Sequence, residues 1–203
     1  MATIDCRKNI AVFDFDGTVT SKDSFLDFIF KNKGYYKLIK GVFFLLPILL
    51  LNRLKIVSSH VAKERVFSYF YSGTEEKYFN DCCEKYSLEC ISEIVKKKAL
   101  SRIDYHKRQN HELVIISASL ENWIKPWAFR HGFKEVIATV PEIQNGIITG
   151  KFRTKNCKGK EKVRRFLAKY PQRDKYFLYV YGDSRGDWEM MQLADKAFFR
   201  RFE

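Results

Sequence analysis

Two aspartates, Asp14 and Asp16, stand two residues apart in the stretch AVFDFDGTVT, residues 11–20. The apolar run Ile10–Phe13 before them reads as a buried strand, so two like charges lie at the mouth of a core. In an extended chain residues i and i+2 face the same side. Both carboxylates can therefore be aimed at one point, where acid–base work or cation binding becomes available. Gly17 then lets the backbone turn sharply and come close to an anion. The plainer reading is a turn after a strand, or a calcium loop. An EF-hand loop wants glycine at its sixth position, and Gly17 is the fourth counted from Asp14.

Further groups fall at comparable places. Ser117 ends an apolar run within ISAS, and Asp183 and Asp187 follow another within YGDSRGDWEM. Lys158, Lys160 and Lys162 cluster in NCKGKEKVRRF, just before that last run. In α/β sheets, ligands gather outside the carboxyl ends of the strands. Three carboxylates (Asp14, Asp16, Asp183), a hydroxyl and an ammonium would then converge on one crevice. Carboxylates so close repel strongly. A divalent cation would relieve this, and an all-oxygen donor set points to Mg²⁺.

The elements that must position these residues are legible in outline. After about residue 108 the pattern alternates. ELVIIS is a strand, ENWIKPWAFRHG a helix with Trp123 and Trp127 on one face and Gly132 as its stop, and EVIATV a strand. EIQNGIITGKF is a hairpin whose Asn145-Gly146 pair suits a type I′ turn. Then come a helix ended by Pro171, the strand KYFLYVYGD, the helix GDWEMMQLA and the strand KAFF. Such alternation gives a mostly parallel sheet covered on both faces. From Ser21 to Asn110 there is only a succession of helical patterns. Asp23 or Ser24 caps one, Ser58 or Ser59 another, Thr74 a third, and a last helix runs from about Ser87 to Gln109. The expected fold class is therefore α/β. Residues 1–20 and 108–203 form the core, and residues 21–107 form an all-helical cap inserted after the first strand.

DFDGTVT, ISAS, a lysine at a helix start and GDSRGD, in that order across the whole chain, resemble the haloacid-dehalogenase-like phosphohydrolases. The large helical insertion and NCKGKEKVRRF resemble the phosphoserine-phosphatase-like branch. The resemblance implies a Rossmann-like three-layer core and a phosphomonoester phosphatase. It implies Asp14 as nucleophile, forming an aspartyl-phosphate, and Asp16 as the acid and base that serves the leaving alcohol and then the water. Mg²⁺ would take a carboxylate oxygen of Asp14, the main-chain carbonyl of Asp16, and Asp183. Ser117 and the neighbouring backbone N–H of Ala118, with Gly17, would hold phosphoryl oxygens, leaving Ser119 to cap the next helix. Lys162 would offset charge on nucleophile and phosphate, with Lys160 as the alternative. Asp187 would position the others. Asp23, nine residues after Asp14, would read substrate or cap a helix.

Composition sets the remaining expectations. Lys and Arg outnumber Asp and Glu by 37 to 24, a formal charge of +13, which favours an anionic partner or simply solubility. The five cysteines form no C-x-x-C pair, which argues against a disulfide framework or zinc knuckle and for a reducing, cytoplasmic setting. The first nine residues lack the pattern of a signal peptide. GVFFLLPILLL, residues 41–51, carries no charge and is shorter than the ~20 residues of a bilayer span. Lys31, Lys33, Lys37 and Lys40 precede it, and Arg53 and Lys55 follow. It reads either as a buried cap helix or as a segment resting on an anionic membrane surface through residues 41–55, with the protein peripheral at the inner face. The second arrangement resembles the phosphatidylglycerophosphatase C type. The substrate would then be a lipid-linked or amphiphilic phosphate, with a soluble metabolite such as phosphoserine as the alternative. A basic nucleic-acid-binding module on a retained phosphatase-like core is the rival of another class. It rests on charge alone, because no interleaved aromatic-basic motif is present.

Overall fold

The computed structural model describes residues 7–202. Its strands are β1 (Lys8–Phe13), β2 (Glu112–Leu120), β3 (Glu135–Thr139), β4 (Pro141–Gln144), β5 (Ile147–Phe152), β6 (Tyr176–Gly182) and β7 (Lys196–Phe199). Five form one parallel sheet in the order β3-β2-β1-β6-β7, and β4–β5 is a separate hairpin. A parallel sheet is covered on both faces, so its inner strands must be apolar throughout. β1 meets this with four consecutive buried residues, Ile10–Phe13. Ala11 and Phe13 enter one core cluster, while Ile10 and Val12 enter the other on the opposite face.

The helices are α1 (Ser24–Lys33), α2 (Tyr35–Arg53), α3 (Ser59–Tyr71), α4 (Glu76–Glu89), α5 (Ile91–Ile94), α6 (Lys97–Arg108), α7 (Glu121–Arg130), α8 (Lys160–Lys169) and α9 (Trp188–Leu193). Phe166 of α8 and Met190 of α9 close one face of the sheet. Ile103 of α6 and Trp123 and Trp127 of α7 close the other, and that cluster continues into Phe25, Phe28, Tyr71 and Phe79 of the cap helices. Core and cap thus share one apolar body. The fold is the expected α/β architecture, with a helical cap after the first strand.

Several local details differ from the sequence pattern. The single helix expected from Ser87 to Gln109 is broken, because Val95 is extended and bridges Thr20 while the Lys96 N–H donates to the Val19 carbonyl. Thr74 does not cap α4. Glu75 precedes the helix and bridges Ile147, and the Thr74 carbonyl accepts from Ile148 N. Ser119 does not cap α7 either, since β2 continues through Leu120. Asp23 and Ser58 do cap their helices, accepting from Leu26 N and Val61 N. Asn145 and Gly146 both have positive φ, 51° and 73°, as a type I′ turn requires. The described cysteines, Cys82, Cys83, Cys90 and Cys157, are all free; Cys6 lies outside the described residues.

The segment around residues 41–51 is not a buried cap helix. It belongs to the 19-residue α2, in which Gly41 alone is buried. Phe43 is 73 % exposed and Phe44 60 %, with Val42, Leu46 and Leu50 also exposed. α2 rests on α3 where Gly41 meets the Phe70 and Tyr69 rings and where Phe44 stacks on Tyr69.

His106 of α6 is fully buried beneath the sheet. Its Nε2 lies 2.9 Å from the Tyr181 hydroxyl, which also accepts from Arg102 Nε at 2.7 Å. Its Nδ1 lies 2.7 Å from Nδ1 of His111. Burial, then the charges of His111 and Arg102, push His106 down to about 3. An unfolded histidine takes its proton near pH 6.5, so the unfolded chain binds more protons between those two values. The stability from a neutral His106 is complete above about pH 6.5 and is lost as pH falls toward 3, at about 1.4 kcal/mol per pH unit within the window. Urea unfolding at pH 7 and pH 5 should therefore show the wild type losing roughly 2 kcal/mol more than a His106→Gln variant. Equal losses would remove His106 as the source.

Candidate active site

Register brings the strand ends together. Phe13 pairs with Ile115 on one side and Tyr181 on the other. β1 and β6 therefore end at nearly one level while β2 runs on beside them to Leu120, and Asp14 N still donates to the Tyr181 carbonyl at 2.9 Å. The chain then folds back through a tight turn, Phe15–Val19, closed by Thr20 N on the Phe15 carbonyl at 2.9 Å. Gly17 has φ 80° in that turn. A Cβ there would fall on Asp183 Oδ2 and lie 2.8 Å from its Cγ. Glycine is required twice over, for conformation and for the approach of the carboxylate.

Lys162, in the first turn of α8, is 2 % exposed. Its ammonium donates to Asp14 Oδ1 at 2.6 Å, Asp187 Oδ1 at 2.6 Å and the Ile116 carbonyl at 2.9 Å. All three donors are used, so Lys162 acts on this site mainly through its charge. Burial works against that charge, but Asp14 and Asp187 outweigh it and raise the pKa. Lys160 and Lys158 are exposed, and of the two only Lys158 lines the cavity. Gly159 immediately precedes α8 and its N–H donates to the Gly186 carbonyl at 2.8 Å, so the lysine and the aspartate loop are fastened together.

Asp187 spends its other oxygen on Ser184 N and Ser184 Oγ, at 3.0 and 2.8 Å. It fixes the loop and the ammonium. Asp14 and Asp183 keep oxygens with fewer claims on them. The Thr18 hydroxyl lies 3.3 Å from Asp14 Oδ2 and 3.1 Å from Asp183 Oδ1. Asp14, Asp183 and Asp187 each offer a carboxylate oxygen within 4.8 Å of the others. One ammonium does not neutralise three carboxylates. Burial foremost, with the Asp187 charge opposing Lys162, raises Asp14 to about 7. An all-oxygen cluster with surplus negative charge suits a hard divalent cation such as Mg²⁺.

Asp16 faces a different set of partners. Its Oδ1 accepts from Ser24 N at 2.8 Å and its Oδ2 from Ser119 Oγ at 2.5 Å. Burial first, then the charge of Asp23, hold its carboxyl above the usual range. Ser117 is buried, and its Oγ accepts from Ser119 N at 3.0 Å. Asp23 both caps α1 and lines the cavity, which measures about 210 Å³. Ala118 lines it as well. Lys63 enters from α3 of the cap. Its ammonium donates to the Ala118 carbonyl at 2.9 Å and sits 4.6 Å over the Phe25 ring. Burial lowers its pKa, against the pull of Asp23 and Asp16.

Three of these residues escaped the sequence reading. Thr18 follows Gly17 directly and could have been suspected from its hydroxyl. Ser119 suits a helix cap by sequence, but the extra length of β2 turns it toward Asp16 instead. Lys63 lies in the cap and carries no local signal.

A family model described as haloacid dehalogenase-like hydrolase matches residues 11–192. The protein CicA of Caulobacter vibrioides is 28 % identical over 199 residues, covering 95 % of this chain and 86 % of that protein. Among solved structures, a protein of unknown function from Bordetella pertussis Tohama I is similar with TM-score 0.81 at 18 % identity, covering 95 % of this chain and 90 % of that one. A phosphoserine phosphatase captured as a phospho-aspartyl intermediate analogue is similar with TM-score 0.62 at 12 % identity, covering 95 % and 86 %.

The crowding at Gly17 can be tested against a glycine that lacks it. Gly146, the second central residue of the type I′ turn, has φ 73° and nothing within 4 Å of an added Cβ. Gly146→Ala should cost about 1 kcal/mol, for backbone conformation alone. Gly17→Ala should cost on the order of 1–3 kcal/mol more, because Asp183 must also move. Thermal unfolding of the two variants compares them, and equal costs would show that Asp183 yields freely.

Proposed function

The chain belongs to the haloacid dehalogenase-like hydrolase family, and on that footing we propose that it is a magnesium-dependent phosphomonoester phosphatase working through an aspartyl-phosphate. The observation that carries this reading is the Asp14 carboxylate, held at the end of the central strand by a buried ammonium at 2.6 Å, with the raised carboxyl of Asp16 beside it. Asp14, Asp183 and the Asp16 main-chain carbonyl would hold the cation. When bound, it offsets charge on the carboxylates and on the phosphoryl oxygens.

An oxygen of Asp14 attacks phosphorus, and the bond from phosphorus to the ester oxygen breaks. Asp16 gives its proton to the departing alcohol. Burial and the charge of Asp23 raise its pKa, which favours the protonated form that this step uses. Asp16, now a carboxylate, takes a proton from water as the water attacks the aspartyl-phosphate, releasing orthophosphate and free Asp14. Lys162 supplies a fixed positive field along this path without giving up a proton. Ser117 orders the 117–119 backbone against which phosphoryl oxygens would rest, with Ala118 and Gly17. Lys63 carries a cation from the cap to the same cavity.

The substrate we propose is a lipid-linked or amphiphilic phosphomonoester, met at an anionic membrane surface. The exposed apolar face of α2 and its basic flanks favour this over a soluble metabolite such as phosphoserine or a nucleic-acid partner. The protein would then be peripheral, at the inner face of the membrane.

With an aryl phosphate and Mg²⁺, Asp14→Asn should lose at least a thousandfold in turnover while its thermal unfolding stays cooperative. Near-normal turnover would dismiss Asp14 as nucleophile. A Phe43→Ser/Leu50→Ser variant should sediment with anionic vesicles at least fivefold less than the wild type, with aryl phosphate turnover unchanged. Absence of wild-type binding would remove the lipid surface and leave the chemistry standing.

A further inference from the structure

A second cavity, about 560 Å³, lies between the start of α6 and the residues after β7, lined by Lys96, Lys97, Lys98, Arg200, Arg201 and Phe202. A neighbouring hollow of about 350 Å³ shares Lys97, Lys98 and Phe202 with it and adds Arg102. Six cations therefore line one continuous groove, and no carboxylate lines either part. Nor does any described carboxylate pair with one of the six elsewhere.

Three of these cations are held in place by neutral acceptors. Lys96 donates its ammonium to the Gly17 carbonyl. Arg102 Nε donates to the Tyr181 hydroxyl at 2.7 Å, and its guanidinium lies 4.5 Å over the Tyr105 ring. Arg200 Nε donates to the Asp183 carbonyl at 2.9 Å. Arg200 also takes φ 56°, a region costly for a residue with a Cβ. Its N–H donates to the Gly182 carbonyl, which holds the backbone there. The anchors fix direction without cancelling charge. Like charges gathered in a concave surface focus a positive field, and guanidinium groups match phosphate oxygens in geometry.

We propose that this groove is a second anion site, for a soluble ligand carrying two or more linked phosphate groups. It is distinct from the reaction cavity, sharing none of its lining residues. Yet Lys96 and Arg200 grip the backbone of Gly17 and Asp183, so the groove is attached to the reactive loops from behind. Six cations exceed what a single phosphate neutralises, whereas linked phosphate groups bring more of the matching charge.

Titration calorimetry of the intact protein without divalent cations tests this with tripolyphosphate as probe. Lys97→Glu/Lys98→Glu/Arg201→Glu reverses the three cations that anchor nothing, and should weaken binding at least tenfold. The charge-matched Lys77→Glu/Lys151→Glu/Lys175→Glu, on exposed lysines elsewhere, should stay within twofold of wild type. If the first variant does not fold, Lys97→Gln/Lys98→Gln should still weaken binding at least threefold. Wild-type-like binding by the groove variant, or equal weakening by the control, overturns the proposal. Asp14→Asn should bind tripolyphosphate as the wild type does, which separates this site from the catalytic reading.

Discussion

The Lys162 ammonium, enclosed between Asp14 and Asp187, is the interaction on which the rest of the site depends. Removing a cation from water costs several kcal/mol, and only a full set of partners offsets it. Lys162 has that set: two carboxylates and the Ile116 carbonyl. Asp14 directly follows β1, Asp187 lies in the loop after β6, and Ile116 lies within β2. The lysine can thus be buried only if β1, β2 and the 183–187 loop are all in place. The converse also holds. Without the ammonium, Asp14 and Asp187 would face each other unneutralised in the interior.

A related pattern recurs around this centre. The carbonyls of Gly17 and Asp183 lie in loops that carry the site, that of Ala118 lies where the β2–β3 pairing shifts register, and each accepts from a cation: Lys96, Arg200 and Lys63. Carbonyls outside regular pairing are orphaned unless something donates to them. Cationic donors make stronger hydrogen bonds than neutral ones, and a carbonyl leaves the positive charge intact. Part of the +13 surplus therefore has a structural use. It holds the reactive loops while keeping the surroundings of the cavity attractive to anions. Two of these cations, Lys63 and Lys96, come from the segment inserted after β1. The insertion is consequently part of the site's support as well as its cover.

The core strands were legible because parallel strands buried on both faces must be continuously apolar, and the acidic residues after them interrupt that pattern abruptly. Asp14, Asp16, Asp183 and Asp187 could be gathered from sequence because Asp14 and Asp183 follow directly on such strands and Asp16 and Asp187 lie in the short stretches just beyond. What was not legible depends on contacts between distant segments. The break at Val95–Lys96 exists because Thr20 and Val19 compete for that backbone, and helical propensity near KKKALSR gives no hint of it. Ser119 looked like a helix cap, and its tie to Asp16 across 103 residues appears only when β2 is placed beside β1. Choosing Lys162 over Lys160 required the helix rotation of α8, which buries one and exposes the other.

α2 poses the same problem in another form, because composition alone permits two orientations in lipid. Its 19 residues, at about 1.5 Å each, reach about 28 Å, close to the hydrocarbon thickness of a bilayer. A crossing helix, however, would have to withdraw from α3, giving up the close approach at Gly41 and the Phe44–Tyr69 stack. It would also carry Lys37 and Lys40 into or against the apolar layer, where an ammonium is costly. Lying flat requires neither. In the proposed surface-bound arrangement the side facing α3 would stay packed, the exposed Phe43, Leu46 and Leu50 would enter the acyl boundary, and the lysine stems would reach outward to the head groups. α3 starts beside the end of α2 and places Lys63 five residues on from Ser58, within the reaction cavity. A phosphate head group held at that end of the α2–α3 pair would therefore lie on the side of the cap from which the cavity receives its one cap-borne cation.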